Sequence, residues 1–110
     1  MGVPKIKFSE NWSKLQEPLF TTIRGLSPRY PKKAEYYREQ IGRTFDVVLN
    51  KGEGLHAEPV CKAILLDVLR VEPSKISHFL LDYDTDGNEE YMEKIRAYKE
   101  VLILIYRRVN

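Results

Sequence analysis

Val60-Cys61-Lys62-Ala63-Ile64-Leu65-Leu66-Asp67-Val68-Leu69-Arg70-Val71 is the stretch on which the fold turns. Its length admits a buried helix or a long strand, because periodicity does not separate the two in a continuous apolar run. Pro59 and Pro73 bracket it, and Val60, Ile64, Val68 and Val71 weight it toward β structure. The reading is a long, bulged strand.

Working outward, Leu19 to Arg24 is rich in aromatic and β-branched residues and ends at Gly25, which reads as a strand. Strand alternation puts Phe20, Thr22 and Arg24 on one face and Leu19, Thr21 and Ile23 on the other. Phe45 to Leu49 reads as a further strand, and Asn50 to Glu58 as a turn or wide loop. Val101 to Tyr106 is continuously apolar, as expected of a strand covered on both faces. Ser9 is placed to cap a short helix in which Phe8, Trp12 and Leu15 share a core face, and Pro18 ends it. Ala34 to Gln40 reads as a helical turn. Ser74 is expected to cap a helix through Leu80, Asp82 to Gly87 to form an acidic turn, and Glu89 to Lys99 to form an amphipathic helix with Tyr91, Ile95 and Tyr98 on one face. This order predicts an α+β domain: a small barrel-like sheet of mixed or antiparallel strands packed by short helices.

The chain has 110 residues, enough for one domain, and its 43% hydrophobic and 31% charged content suits a core that folds without staples. The single cysteine, Cys61, excludes an internal disulfide and is expected to be a buried, inert thiol in a reducing compartment. No apolar secretory segment is visible and no stretch approaches the ~20 apolar residues that cross a bilayer. A cytoplasmic location without membrane contact is expected. Charge is uneven: residues 1–51 carry ten Lys/Arg against five Asp/Glu, residues 52–110 eight against eleven. The basic half hints at an anion-facing side.

Candidate site residues follow from that half. Arg24 ends a β-branched run, so its planar fork is expected near a strand end, where it suits a phosphate or a base edge. The alternative is an ion pair within the chain, with Glu17 or Asp46. Thr21 and Thr22 face opposite ways, so only one can line a cleft, and threonine is also simply a good strand former. Arg29, Tyr30, Lys32, Lys33, Tyr36, Tyr37, Arg38 and Arg43 interleave cations with aromatics. Cations meet phosphates and tyrosine rings stack on unpaired bases, which is how RNA is commonly gripped. The alternative makes the tyrosines core anchors and the lysines solubilising. Asp82 to Glu93 has the spacing of an EF-hand calcium loop, without a second loop and with Glu89 where an apolar residue belongs. In the competing account Asp86 caps the next helix. His56 and His78 stand apart, so no metal site or cofactor is expected, and Gly52-Glu53-Gly54 lacks the lysine of a phosphate loop.

The run Lys14-Leu15-Gln16-Glu17-Pro18-Leu19-Phe20-Thr21-Thr22-Ile23-Arg24 resembles the signature of the ASCH domain family of the PUA-like superfamily. In that family a glycine–x–lysine–threonine stretch runs into a Thr-Ile-Arg strand, which Thr22-Ile23-Arg24 matches. Tyr36 to Leu49, with Gly42, is similar to the family's turn and second strand. Cys61 to Val71 is similar to its long strand, and Asp84-Thr85-Asp86-Gly87 and a terminal strand ending in Arg107 also look familiar from it. The resemblance implies a pseudo-barrel with a cleft lined by the signature, and binding of RNA or a nucleotide. With the residue reading above, it makes Thr22 and Arg24 the expected cleft floor, and the basic loop's Arg29, Tyr30, Lys32 and Lys33 the expected grip on backbone and base. One branch consists of small amidohydrolases acting on acetylated cytidine through a lysine, a threonine and a glutamate. On this alignment the threonine is Thr22, but the lysine falls on Leu19, which cannot do its chemistry, so no catalytic residue is assigned; Lys14 or Lys62 is the alternative source of an amine, though nothing in the sequence argues for either. A small hydrolase, with Thr22 partnered by Asp84 or Asp86, stands as one alternative. A calcium-binding or protein-interaction domain built on Asp82 to Glu93 stands as another.

Overall fold

The computed structural model describes residues 3–8, 12–49 and 59–109. Strand β1 (Lys5–Phe8) is followed by a 3₁₀ turn (Ser13–Gln16), strand β2 (Leu19–Gly25), helix α1 (Lys33–Glu39), strand β3 (Thr44–Leu49) and strand β4 (Cys61–Val71). A second 3₁₀ turn (Pro73–Lys75), helix α2 (His78–Thr85), helix α3 (Glu89–Arg96) and strand β5 (Val101–Arg108) complete the order. The five strands form one mixed sheet in the order β1-β3-β4-β5-β2. Only β1 and β3 run parallel; the other three pairings are antiparallel.

The deciding stretch is a strand with a bulge. Leu65 pairs with Tyr106 and Asp67 with Ile105, so Leu66 is the extra residue. The insertion shifts the inward phase of β4: Cys61, Ala63 and Leu65 face the main core before it, and Val68 after it. An unbulged strand would have turned Asp67 inward instead, so the bulge keeps a carboxylate out of the core.

β5 shows why its sequence is apolar without alternation. Leu102, Leu104 and Tyr106 enter the core inside the curled sheet, with Ile6, Phe8, Leu15, Phe20 and Phe45. Val101 and Ile103 enter a second core beneath the helices, with Ile23, Leu81 and Met92. Tyr106 stacks on Phe20 at 5.4 Å between centroids and meets Phe45 edge-on at 5.4 Å. Such pairs each contribute about 0.5–1.5 kcal/mol beyond burial.

Several sequence expectations are corrected. Lys5-Ile6-Lys7-Phe8 is a strand with Ile6 and Phe8 buried, a period-two signal that was overlooked. The helix expected to begin at Ser9 is only the 3₁₀ turn from Ser13, although Phe8, Trp12 and Leu15 are all buried as expected; Ser9 itself lies outside the described residues. Ser77, not Ser74, caps α2, accepting from the Leu80 amide at 3.2 Å. Proline at the start of Pro73–Lys75 makes a separate short turn there instead. Asp82 to Thr85 are helical rather than an acidic turn, and Asn88, not Asp86, caps α3. The turn or loop expected over residues 50–58 lies outside the described residues.

The expected α+β class with a mixed sheet holds, but the sheet is not a closed barrel. The sheet curls but no ladder joins its edge strands, β1 and β2. Side chains cross the gap: Phe8 meets Phe20 edge-on at 6.5 Å, and Arg24 Nη2 donates to the Lys7 carbonyl at 2.8 Å. The seam between these edges positions the site. Among the described residues, no helix is long and apolar enough to cross a membrane.

Candidate functional site

A cavity of about 320 Å³ opens at the seam, at the lower end of the ~300–1,000 Å³ typical of ligand pockets. β1 supplies Lys7 and Phe8, and β2 supplies Thr22, Ile23, Arg24 and Gly25. Trp12 and Lys14 come from the first turn, Lys33 from α1, and Asp84 and Thr85 from the end of α2. Tyr91, Lys94 and Ile95 of α3, with Tyr98 just beyond it, form the remaining wall. Five cations therefore face one carboxylate across aromatic walls.

That carboxylate is already matched. Lys14 Nζ lies 2.8 Å from Asp84 Oδ1, with the two side chains 2% and 6% exposed. Thr21 donates to the same Asp84 oxygen at 3.2 Å. Burial pushes the Lys14 amine below the ordinary lysine value against the pull of Asp84, and neighbouring Arg24 pushes the same way as burial. Two residues on, Asp86 accepts from the Ser13 hydroxyl and, at 2.8 Å, from the Ser13 amide. These bonds hold Asp86 below the usual carboxylate range. The turn carrying Lys14 is thus fastened to the end of α2 twice.

Arg24 has no carboxylate partner among the described residues. Its Nε donates to Thr22 Oγ1 at 3.1 Å and its Nη2 to the Lys7 carbonyl, both neutral oxygens. The guanidinium carbon sits 4.8 Å from the centre of the Phe8 ring, whose centre is also 5.3 Å from Lys14 Nζ. Neither Glu17 nor Asp46 pairs with Arg24; Asp46 lies 3.8 Å from Lys62 instead. Burial pushes the Arg24 guanidinium below its ordinary value. Lys33 donates to the Gly25 carbonyl at 2.9 Å, and burial, then Arg24, lower its amine.

Comparison with known protein families, curated proteins and solved structures finds no match. The geometry therefore carries the functional argument.

The structure divides the six residues proposed from the sequence. Thr22, Arg24 and Lys33 meet at the seam. Arg29, Tyr30 and Lys32 do not; they line a second hollow of about 650 Å³ with Pro31, Tyr36, Tyr37 and, again, Lys33. Arg38 and Arg43 line neither hollow. The opposition of Thr21 and Thr22 holds: Thr22 lines the cleft while Thr21 reaches it only through Asp84. Because β2 is an edge strand, groups from both of its faces reach around the same free edge.

Sequence reasoning missed Lys7, Phe8, Trp12 and Lys94 as cleft residues; of the two lysines offered in place of Leu19, Lys14 lines the cleft and Lys62 does not. It found Tyr91, Ile95 and Tyr98 on one face without assigning them to the cleft, which all three border, while Tyr91 and Ile95 also pack against the cores. The EF-hand reading of Asp82 to Glu93 does not survive. Its first residues are helical, Asp84 is buried against Lys14 and Asp86 is bound to Ser13, so the carboxylates do not converge. Among the described residues no cluster of three potential metal ligands occurs. His78 stands by Arg96, and His56 lies outside the described residues. Cys61 is buried, and that burial raises its thiol pKa.

Proposed function

We propose that the chain is an RNA- or nucleotide-binding domain of the ASCH, PUA-like kind, acting in the cytoplasm, with its ligand in the seam between β1 and β2. In this reading the curled, unclosed sheet is a pseudo-barrel and the seam is the mouth of its cleft. One observation carries it: a guanidinium drawn out of water, held by two neutral oxygens and a ring face, beside a carboxylate committed to another cation. An uncompensated cation in a partly buried site is costly, and an incoming phosphate would relieve that cost. Arginine's fork gives such an anion a bidentate seat. Lys7, Lys33 and Lys94 add positive potential, and Trp12, Tyr91 and Tyr98 offer apolar faces to a base.

The test is fluorescence anisotropy with labelled short RNA. Affinity should fall with salt, with a log–log slope of about −0.7 per phosphate engaged. Arg24→Ala and Lys33→Ala should each weaken binding at least fivefold. Wild-type affinity in both variants removes the seam from the ligand path.

A second reading is favoured by Lys14, Asp84, Thr21 and Thr22 gathering at one cleft. The lysine expected at Leu19 is absent there, yet Lys14 brings an amine to the cleft from a different part of the chain. A depressed amine beside hydroxyls and a carboxylate is equipment for proton transfer. The corresponding reaction is hydrolysis of an acetylated cytidine: water adds to the amide carbonyl, the carbon–nitrogen bond breaks as that nitrogen takes one proton, and neutral cytidine and acetate leave with the remaining proton passing to solvent. Acetate release by the wild type, lost in Lys14→Met, supports this reading; no release from the wild type removes it.

A further inference from the structure

The second hollow has the composition of a base-stacking site. Three cations, Arg29, Lys32 and Lys33, and the rings of Tyr30, Tyr36 and Tyr37 line it, with no carboxylate among its walls. Tyr30 is 62% exposed and Tyr36 46%, so their rings are reachable. Tyr36 is set against Tyr37 edge-on, at 5.2 Å and 73°, which fixes its orientation. No salt bridge among the described residues engages Arg29, Lys32 or Lys33. Lys33 borders both hollows, and its amine is tied to the Gly25 carbonyl at 2.9 Å.

We infer that the two hollows form one path for a single-stranded nucleic acid at least two nucleotides long, with its linking phosphodiester at Lys33 and the second base stacked on Tyr36 or Tyr30. This rests on the anion-binding reading of the seam and deepens it. A mononucleotide could satisfy the seam alone. The second hollow has a use only if the ligand continues past Lys33. Its charge complements a phosphate backbone, and its rings accept any base, since every base has a π face. RNA and DNA share this chemistry.

The experiment is titration calorimetry of the full chain with adenosine 3′,5′-bisphosphate, the dinucleotide pApA and its deoxy form. The bisphosphate supplies the linking phosphate without a second base. Stacking contributes about 1–3 kcal/mol per base, so pApA should bind roughly 5- to 150-fold more tightly than the bisphosphate. Tyr36→Ala with Tyr30→Ala should remove that gain and leave bisphosphate affinity unchanged, while Tyr36→Phe retains it. Both tyrosines are exposed, so the variants are expected to fold. A tighter ribose form identifies RNA as the source; equal ribose and deoxy affinities still support the path. Equal affinity for bisphosphate and pApA, or a gain that survives the double alanine variant, overturns the two-hollow path while leaving the seam reading intact. No binding of any probe at millimolar concentration overturns both.

Discussion

Replacing Lys14 by methionine separates a structural from a chemical role for the buried pair. Methionine keeps the aliphatic stem but leaves Asp84, 5% exposed, with the Thr21 hydroxyl as its bonded partner among the described residues. Breaking one side of a buried ion pair costs about 3–5 kcal/mol. At about 2.1 cal/mol/K per residue, a chain of this length loses about 4 °C of Tm per kcal/mol, so a fall of roughly 12–20 °C is expected.

Removing the stranded charge adds a signature that simple loss of packing lacks. Adding Asp84→Asn should restore most of the stability lost in Lys14→Met, because the unpaired carboxylate goes with it. Urea unfolding followed by circular dichroism measures all three proteins. A loss under about 1 kcal/mol in Lys14→Met, or a double variant no more stable than the single one, refutes the view that Lys14 neutralises a buried carboxylate. If the double variant still binds RNA through Arg24 and Lys33, the pair positions the cleft rather than gripping the ligand.

Three further outcomes are expected. Gly25→Ala would set a methyl carbon 2.1–2.4 Å from three ring atoms of Tyr98. Tyr98 is exposed enough to swing away, so stability should change by less than about 1 kcal/mol while RNA affinity falls severalfold; unchanged affinity by anisotropy would exclude Tyr98 as a wall of the working site. Because burial lowers the Lys33 amine, its charge is lost below the pH of an ordinary lysine. Anion affinity should therefore decline as pH rises, starting short of 10.5, and Lys33→Arg should flatten that decline in a calorimetric series. The Tyr106 hydroxyl is buried without a hydrogen-bond partner among the described residues, so Tyr106→Phe should be neutral or stabilising by up to about 1 kcal/mol in urea unfolding; a clear loss would mean that the hydroxyl is bonded.

What the sequence made legible is what short-range physics controls. The bulged strand at Cys61–Val71 and the doubly covered strand Val101–Arg108 follow from bracketing prolines and from apolar residues on both faces. The short α1 and the strand Leu19–Gly25 follow from local pattern in the same way. The misplacement of α2 has a local cause too. Ser74 and Ser77 are both competent caps, and only the turn made by Pro73–Lys75 selects between them. The seam is different in kind. It exists because β1 pairs in parallel with β3 while β2 pairs with β5, bringing two segments that are neighbours in sequence to opposite edges of a curled sheet. No periodicity encodes that meeting.

Lys14 shows the consequence. Beside Leu15 in a polar turn, nothing in the sequence selects it over Lys62 as the cleft amine, because its carboxylate lies 70 residues away on another element. Asp84 in turn reads as one of three evenly spaced acids, and spacing alone favours calcium. The helix resolves the ambiguity: it turns Asp84 inward toward Lys14, while Asp86, in the left-handed conformation at φ 51° that ends the helix, turns to Ser13. Arg24 was legible as a fork near a strand end, but not that the neighbouring acid, Asp84, is bound to Lys14. A charge pattern lists the cations; the fold alone decides which of them are left without a counterion, and that remainder is where a ligand's negative charge gains most.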